Sequence, residues 1–145
     1  KLPLYIIGEG ADEKRLKSLA GQTIKFLGWV DDKTRDKYWS ECRAFLFPGE
    51  DDFGLAPVQA MAAGRPVIAL RAGGATETIV DGVTGEFFDS ADAPDDLIAA
   101  VKKVEKKEYN PIDCKNQATK FSVAVFEKEF KNFIMKEYEN FKKKN

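Results

Sequence analysis

Histidine is absent from the chain, and cysteine occurs only at Cys42 and Cys114, without Cys-x-x-Cys spacing. No zinc site of thiols and imidazoles can be completed from these residues, and the two thiols read as free, which suits a reducing, cytoplasmic setting. No apolar run approaches the ~20 residues that a membrane-spanning helix needs, and no secretory pattern opens the sequence. An excess of either charge is missing too: 23 Lys and Arg stand against 24 Asp and Glu, and the lysines gather at helix ends rather than in a tract interleaved with aromatics. That distribution argues against a nucleic-acid partner. The Lys142-Lys143-Lys144 tail reads as a solvated end, since three lysines supply only on the order of 1 kcal/mol each near an anionic surface.

What is present is an alternation of short apolar runs and helical patterns. With 145 residues, 43% of them hydrophobic, there is material for one core, hence a single α/β domain over residues 1–145. Apolar strands are expected at residues 4–7, 24–27, 44–47 and 66–70, with an edge strand at 85–88. Helices are expected over residues 12–20, from an Asp31 cap to about 42, over 54–63, briefly through Glu77 to Val80, and from Pro94 onward with Leu97, Ile98, Val101 and Val104 on one face. After Asn110-Pro111 a short helix runs through Ala118. Ser122 then caps a terminal helix over residues 122–144, whose stripe of Phe126, Phe130, Phe133, Ile134, Tyr138 and Phe141 is expected to pack on the sheet. Alternation at this pitch implies a three-layer, doubly wound parallel sheet covered by helices.

The stretch LFPGEDDFGLAPVQAMAAGRPVIAL, residues 46–70, carries the chemistry. A strand ends at Pro48-Gly49, an acidic loop follows, and a helix starts near Gly54 and stops at Gly64. Pro57 sits in its first turn, where no backbone donor is lost. The amides of Phe53, Gly54, Leu55 and Ala56 lack partners inside the helix, and the positive end of the helix dipole lies behind them, a setting that suits phosphate or sugar oxygens. Asp51 and Gln59, eight residues apart, flank these amides from the loop and from the helix. The plainer alternative is that Glu50, Asp51 and Asp52 simply cap the helix, since acids near a helix start contribute about 0.3–1 kcal/mol.

FGLAPVQAMAAGRPVIA, Gly73-Gly74-Ala75-Thr76-Glu77 and Asp81-Gly82-Val83-Thr84-Gly85 fall in the order and spacing of the donor-binding signature of the family 4 glycosyltransferases, retaining enzymes of the two-domain GT-B fold. YIIGEGADEKRLK and IKFLGWV resemble the preceding strand segments, so the likeness covers nearly the whole chain. The resemblance implies a Rossmann-like donor-binding domain that holds a nucleotide-sugar and needs no metal or other cofactor. By position it gives Asp51 the contact to the donor sugar. The backbone of Phe53, Gly54 and Leu55 takes the sugar hydroxyls or phosphate, Gln59 the ribose hydroxyls, and Val30 the edge of the nucleobase. It implies no catalytic residue in this chain.

The sequence departs from the family pattern in two ways. The family pair is usually two glutamates. Here Asp51 is one methylene shorter, so that the loop must move inward or Glu50 must take the contact. Gln59 gives up a charge-assisted bond that is roughly twice as strong as a neutral one. The family's acceptor domain, with its functional histidine, and the strand and helix bearing an Arg and Lys pyrophosphate clamp have no counterpart in the chain, which starts at Lys1 as if at an internal cut. Arg43, Arg65 and Arg71 are the cations nearest the signature in sequence; each reads as a solvated surface residue, the alternative being that Arg71 faces the phosphates. Without the missing central strand, the expected sheet closes to a five-stranded, flavodoxin-like order 2-1-3-4-5, with a domain-swapped homodimer as the competing arrangement. Two functional classes stay open. One is the donor-binding half of a glycosyltransferase, inactive until an acceptor domain joins it. The other is a non-catalytic or engineered α/β fragment that keeps the fold without transferase activity.

Overall fold

The structure, a computed structural model, describes residues 2–144 and divides after Glu41 into two units. The first unit is a β-α-β-α run: β1 (Leu4–Ile7), α1 (Glu13–Leu19), β2 (Ile24–Gly28) and α2 (Asp32–Glu41). β1 and β2 pair in parallel, with Leu4 opposite Ile24 and an irregularity between Ile6 and Ile7. Asp31 caps α2 as the sequence predicts, its Oδ1 accepting the Thr34 amide at 2.7 Å. Trp39 is the buried residue of α2, and the Arg35 guanidinium lies 4.7 Å from its ring centroid.

The second unit continues with β3 (Phe45–Phe47), α3 (Leu55–Ala62), β4 (Val67–Leu70), α4 (Ala75–Thr78), β5 (Gly85–Phe88), α5 (Pro94–Lys106), α6 (Pro111–Thr119) and α7 (Val123–Lys144). Its sheet is parallel in the order β3-β4-β5, with Phe45 opposite Val67 and Val67 opposite Gly85. Successive residues of a strand face opposite sides. Ile68 of β4 and Phe88 of β5 meet Ala100 and Val104 of α5 in one buried cluster, edged by Leu46, Leu70, Leu97 and Tyr109. Val67 and Ala69, fully buried, point the other way. Ala60, Met61 and Cys114 are fully buried as well, on α3 and on α6, which packs against α3. This core is the reason the strand segments 44–47 and 66–70 read as continuous apolar runs. α3 ends at Gly64 with the paired bonds of a Schellman motif, Arg65 N to Ala60 O at 3.0 Å and Gly64 N to Met61 O at 2.8 Å.

Two expectations are corrected. The sheet does not close into one five-stranded order: among the described residues the strands form two parallel sheets, β1-β2 and β3-β4-β5. A ladder continues only where the amides and carbonyls of neighbouring strands meet in register; β1 meets β2 in that way within the first unit, and β3 meets β4 within the second. The stripe on α7 is not packed on the sheet either. Phe126, Phe130, Phe133, Ile134, Tyr138 and Phe141 are 47–65% exposed, and their helical spacing reflects a common face of α7 that lies open to solvent. No helix among the described residues is long and apolar enough to cross a membrane.

Candidate functional site

β3 and β4 are parallel neighbours, so the loops that follow them, residues 48–54 and 71–74, leave the sheet at the same carboxyl end. In open α/β sheets that end is where ligands are held. The acidic loop is built around Asp51. Its Oδ1 accepts the amides of Phe53 at 3.0 Å and Gly54 at 3.1 Å, an aspartate turn that closes on its own backbone. Two donors hold the carboxylate in its charged form, the Phe53 amide first and Gly54 next, and the Asp51 carboxyl is pushed below the usual aspartate range.

That arrangement revises the expected row of bare amides. Phe53 and Gly54 have their donors occupied by Asp51. Among the described residues no acceptor meets the Leu55 and Ala56 amides, at the first two positions of α3. Gly54 stands at the N-cap with φ +77° and ψ 65°, a left-handed conformation that glycine adopts without penalty; the turn itself calls for glycine at this position. One turn into α3, Gln59 is exposed, and Leu55 is 66% exposed beside it. Pro57 is buried below them.

The second loop supports the first. Gly74 N donates to Asp51 O at 2.8 Å. The ring of Phe53 meets Phe121, from the α6–α7 connection, edge to face at 5.7 Å between centroids. Asp51, Phe53, Gly54, Leu55 and Gln59 are thus carried by one continuous loop-helix segment braced at its base. Val30 belongs to the first unit, in the connection from β2 to α2, where it is half-buried beside the exposed Trp29; the Trp29 amide donates to Glu9 Oε1 at 3.3 Å.

The family model described as Glycosyl transferases group 1 matches residues 1–107. The chain belongs to this family. It is 36% identical over 107 residues to a phosphatidyl-myo-inositol mannosyltransferase of Mycobacterium leprae, an alignment covering 68% of this chain and 28% of that protein. It is 32% identical over 102 residues to a GDP-mannose-dependent alpha-mannosyltransferase of Corynebacterium glutamicum, covering 70% of this chain and 24% of that protein. The chain therefore spans about a quarter of the length of these relatives. Among solved structures it shares its fold with the lipopolysaccharide outer core galactosyltransferase WaaB, at TM-score 0.81 and 22% identity over 93% of this chain and 41% of that one. It also shares it with the pneumococcal O-GlcNAc transferase GtfA in complex with UDP and GlcNAc, at TM-score 0.77 and 20% identity over 93% of this chain and 29% of that one.

In this group 1 glycosyl transferase chain, two of the three arginines nearest the signature are bonded to other groups of the protein. Arg71 donates to Asp89 at 2.7 Å and Asp81 at 2.9 Å, and its guanidinium lies 4.5 Å from the Phe87 ring centroid. Arg43 donates to the Glu105 carbonyl. Arg43 and Arg65 line a cavity of 420 Å³ with Lys107, Glu108 and Tyr109; it borders Pro66 at the amino end of β4, away from the acidic loop. No cluster of three or more His, Cys, Asp or Glu able to hold a metal occurs among the described residues. Neither cysteine is in a disulfide, and burial is the first cause that raises the thiol pKa of Cys42 and of Cys114.

Sequence reasoning missed a buried acid. Glu86 on β5 is 7% exposed and accepts the Tyr109 hydroxyl at 2.6 Å, with the ammonium groups of Lys103 and Lys107 at 3.6 and 3.9 Å. The signal was a glutamate inside an otherwise apolar strand, GEFF, with lysines and a tyrosine clustered at residues 102–109.

Proposed function

We propose that this chain is the nucleotide-sugar-binding part of a glycosyltransferase and does not transfer sugar on its own. The observation that carries this is the placement of the acidic loop and the start of α3 at the carboxyl end of a parallel sheet, with the Leu55 and Ala56 amides and the exposed Gln59 on one segment. In this reading the amides take oxygens of the sugar or diphosphate, and Gln59 takes the ribose hydroxyls. Asp51 holds the loop through Oδ1 and offers its remaining carboxylate oxygen lone pairs to the sugar. No metal enters, and sugar transfer takes place when an acceptor domain joins and excludes water from the bound donor. The relatives named above, a mannosyltransferase of lipid-linked inositol and a GDP-mannose-dependent enzyme, support the class of donor.

A second reading, a non-catalytic α/β module, is favoured by one specific observation: Asp51 is turned onto its own loop amides and Arg71 is held by two carboxylates, so both charged groups are already engaged within the chain. Calorimetric titration of the chain with UDP-, GDP- and ADP-sugars separates the two. The donor reading expects weak binding of one of them, with Kd on the order of 0.1–1 mM, because the charge-assisted phosphate contacts are few. No heat with any of the three supports the module, and micromolar affinity refutes the account of a weak phosphate site.

A further inference from the structure

The two glycines after β4 are in closer contact with the acidic loop than any side chain permits. A Cβ added to Gly74 would lie 2.4 Å from Phe53 Cα and 2.5 Å from the carbonyl oxygens of Asp52 and Phe53. One added to Gly73 would lie 2.4 Å from Asp51 O and 3.1 Å from Glu50 Cγ. Backbone thus rests on backbone, and the Gly74 amide closes the contact on Asp51 O at 2.8 Å. These distances decide where Asp51 and Phe53 sit above the end of the sheet.

Conformation alone does not explain both glycines. Gly73 has φ +53°, a left-handed value that asparagine also tolerates. Gly74 has φ −61° and ψ −19°, ordinary right-handed helical values that any residue adopts. Only the absence of a side chain distinguishes glycine from alanine at Gly74.

We propose that the Gly73-Gly74 turn is a positioning element of the donor site: it seats the 50–53 loop at the height at which Asp51 meets the sugar of the donor. The proposal rests on the donor-binding reading above. Its substrate consequence is selective. A raised loop disturbs the sugar, which lies over Asp51, and leaves the nucleotide diphosphate its contacts with Leu55, Ala56 and Gln59.

The test uses the 145-residue chain and its Gly74→Ala, Gly73→Ala and Gly73→Asn variants, with circular dichroism as the check on folding. Amide resonances of Phe53 and Gly54 are followed by NMR, and each protein is titrated with UDP, GDP and ADP and with UDP-glucose, GDP-mannose and ADP-glucose. The expected result is a shift of the Phe53 and Gly54 resonances in all three variants. The best-bound nucleotide-sugar weakens tenfold or more while its parent diphosphate stays within twofold. Gly73→Asn should behave as Gly73→Ala, because both carry the obstructing Cβ. Unmoved resonances, an equal loss of sugar-nucleotide and diphosphate, restoration by asparagine, or loss of folding in all variants each overturns the positioning role. If the parent chain binds none of the six ligands, the donor reading fails. The resonances then still report whether the turn seats the loop, and unmoved ones reject that seating independently.

Discussion

The carboxylate of Asp51 accepts the amide of Phe53, two residues on, at 3.0 Å, and the same oxygen accepts Gly54 at 3.1 Å. A glutamate, one methylene longer, does not fold back into this short turn with the same ease. The aspartate that departs from the family pattern has therefore taken over the shaping of the loop.

The pH dependence of that turn has a definite sign. The Asp51 carboxyl titrates below the usual aspartate value because the Phe53 and Gly54 amides bond its charged form. Its contribution to loop order is complete above the ordinary aspartate pKa of about 3.9, and it is lost as pH falls through the depressed value. An NMR pH titration should show the Phe53 and Gly54 amides moving together with a midpoint below that of an unstructured aspartate. A midpoint at or above it means that the turn does not hold in solution.

Gln59 is exposed on α3 and neutral. If it bonds the ribose, Gln59→Glu replaces a neutral bond with a charge-assisted one, a gain of about 1 kcal/mol or roughly fivefold in affinity. Calorimetry with the best nucleotide-sugar measures it, and an unchanged Kd removes the ribose role from Gln59.

Tyr109 is the only polar side chain to donate to Glu86 within 3 Å among the described residues. Burial first, and the bond to Glu86 next, raise the Tyr109 hydroxyl well above the ordinary tyrosine range. In a spectrophotometric titration of the four tyrosines, one should fail to ionise near pH 10, and it should be missing from Tyr109→Phe. The same substitution leaves a buried carboxylate short of a donor and should lower stability by about 1.5–3 kcal/mol in urea melts. A change below half a kilocalorie indicates that Lys103 and Lys107 suffice for Glu86.

Phe130 is 54% exposed and stacks on Phe126, one turn back, at 5.6 Å. Phe130→Ala should therefore cost the chain no more than about 0.5 kcal/mol, the scale of an i,i+4 pair on a helix surface. Had the stripe been buried, the same truncation would cost about 3–5 kcal/mol. Chemical denaturation at low protein concentration distinguishes these outcomes.

Several features are legible along the chain because they depend on neighbours a few positions away. Apolar runs at the strand positions, proline at the third position of α3, Asp31 before α2, Asn110 before α6 and Gly64 after α3 all act within one or two turns of backbone. The alternation of strand and helix, the order of elements and the family signature follow from them. The location of the acidic loop at the strand ends follows as well, since a parallel connection leaves each strand at its carboxyl end.

What stayed hidden depends on pairs distant in the chain or on a choice between equal local options. An unpaired amide and an amide bonded to the preceding aspartate look alike as letters, so the capture of Phe53 and Gly54 by Asp51 emerged only from the backbone path of residues 51–54. Nor does the string of residues reveal that Gly74 lies against Phe53, that Arg71 is drawn to Asp81 and Asp89, or that Glu86 is buried against Tyr109. Periodicity marks the aromatic side of α7 but not what covers it, because a helix acquires its amphipathic stripe from its own repeat and loses solvent only where another surface arrives. Local sterics act through covalent neighbours and are written in order along the chain; burial and pairing act through space and exist only once the chain has folded.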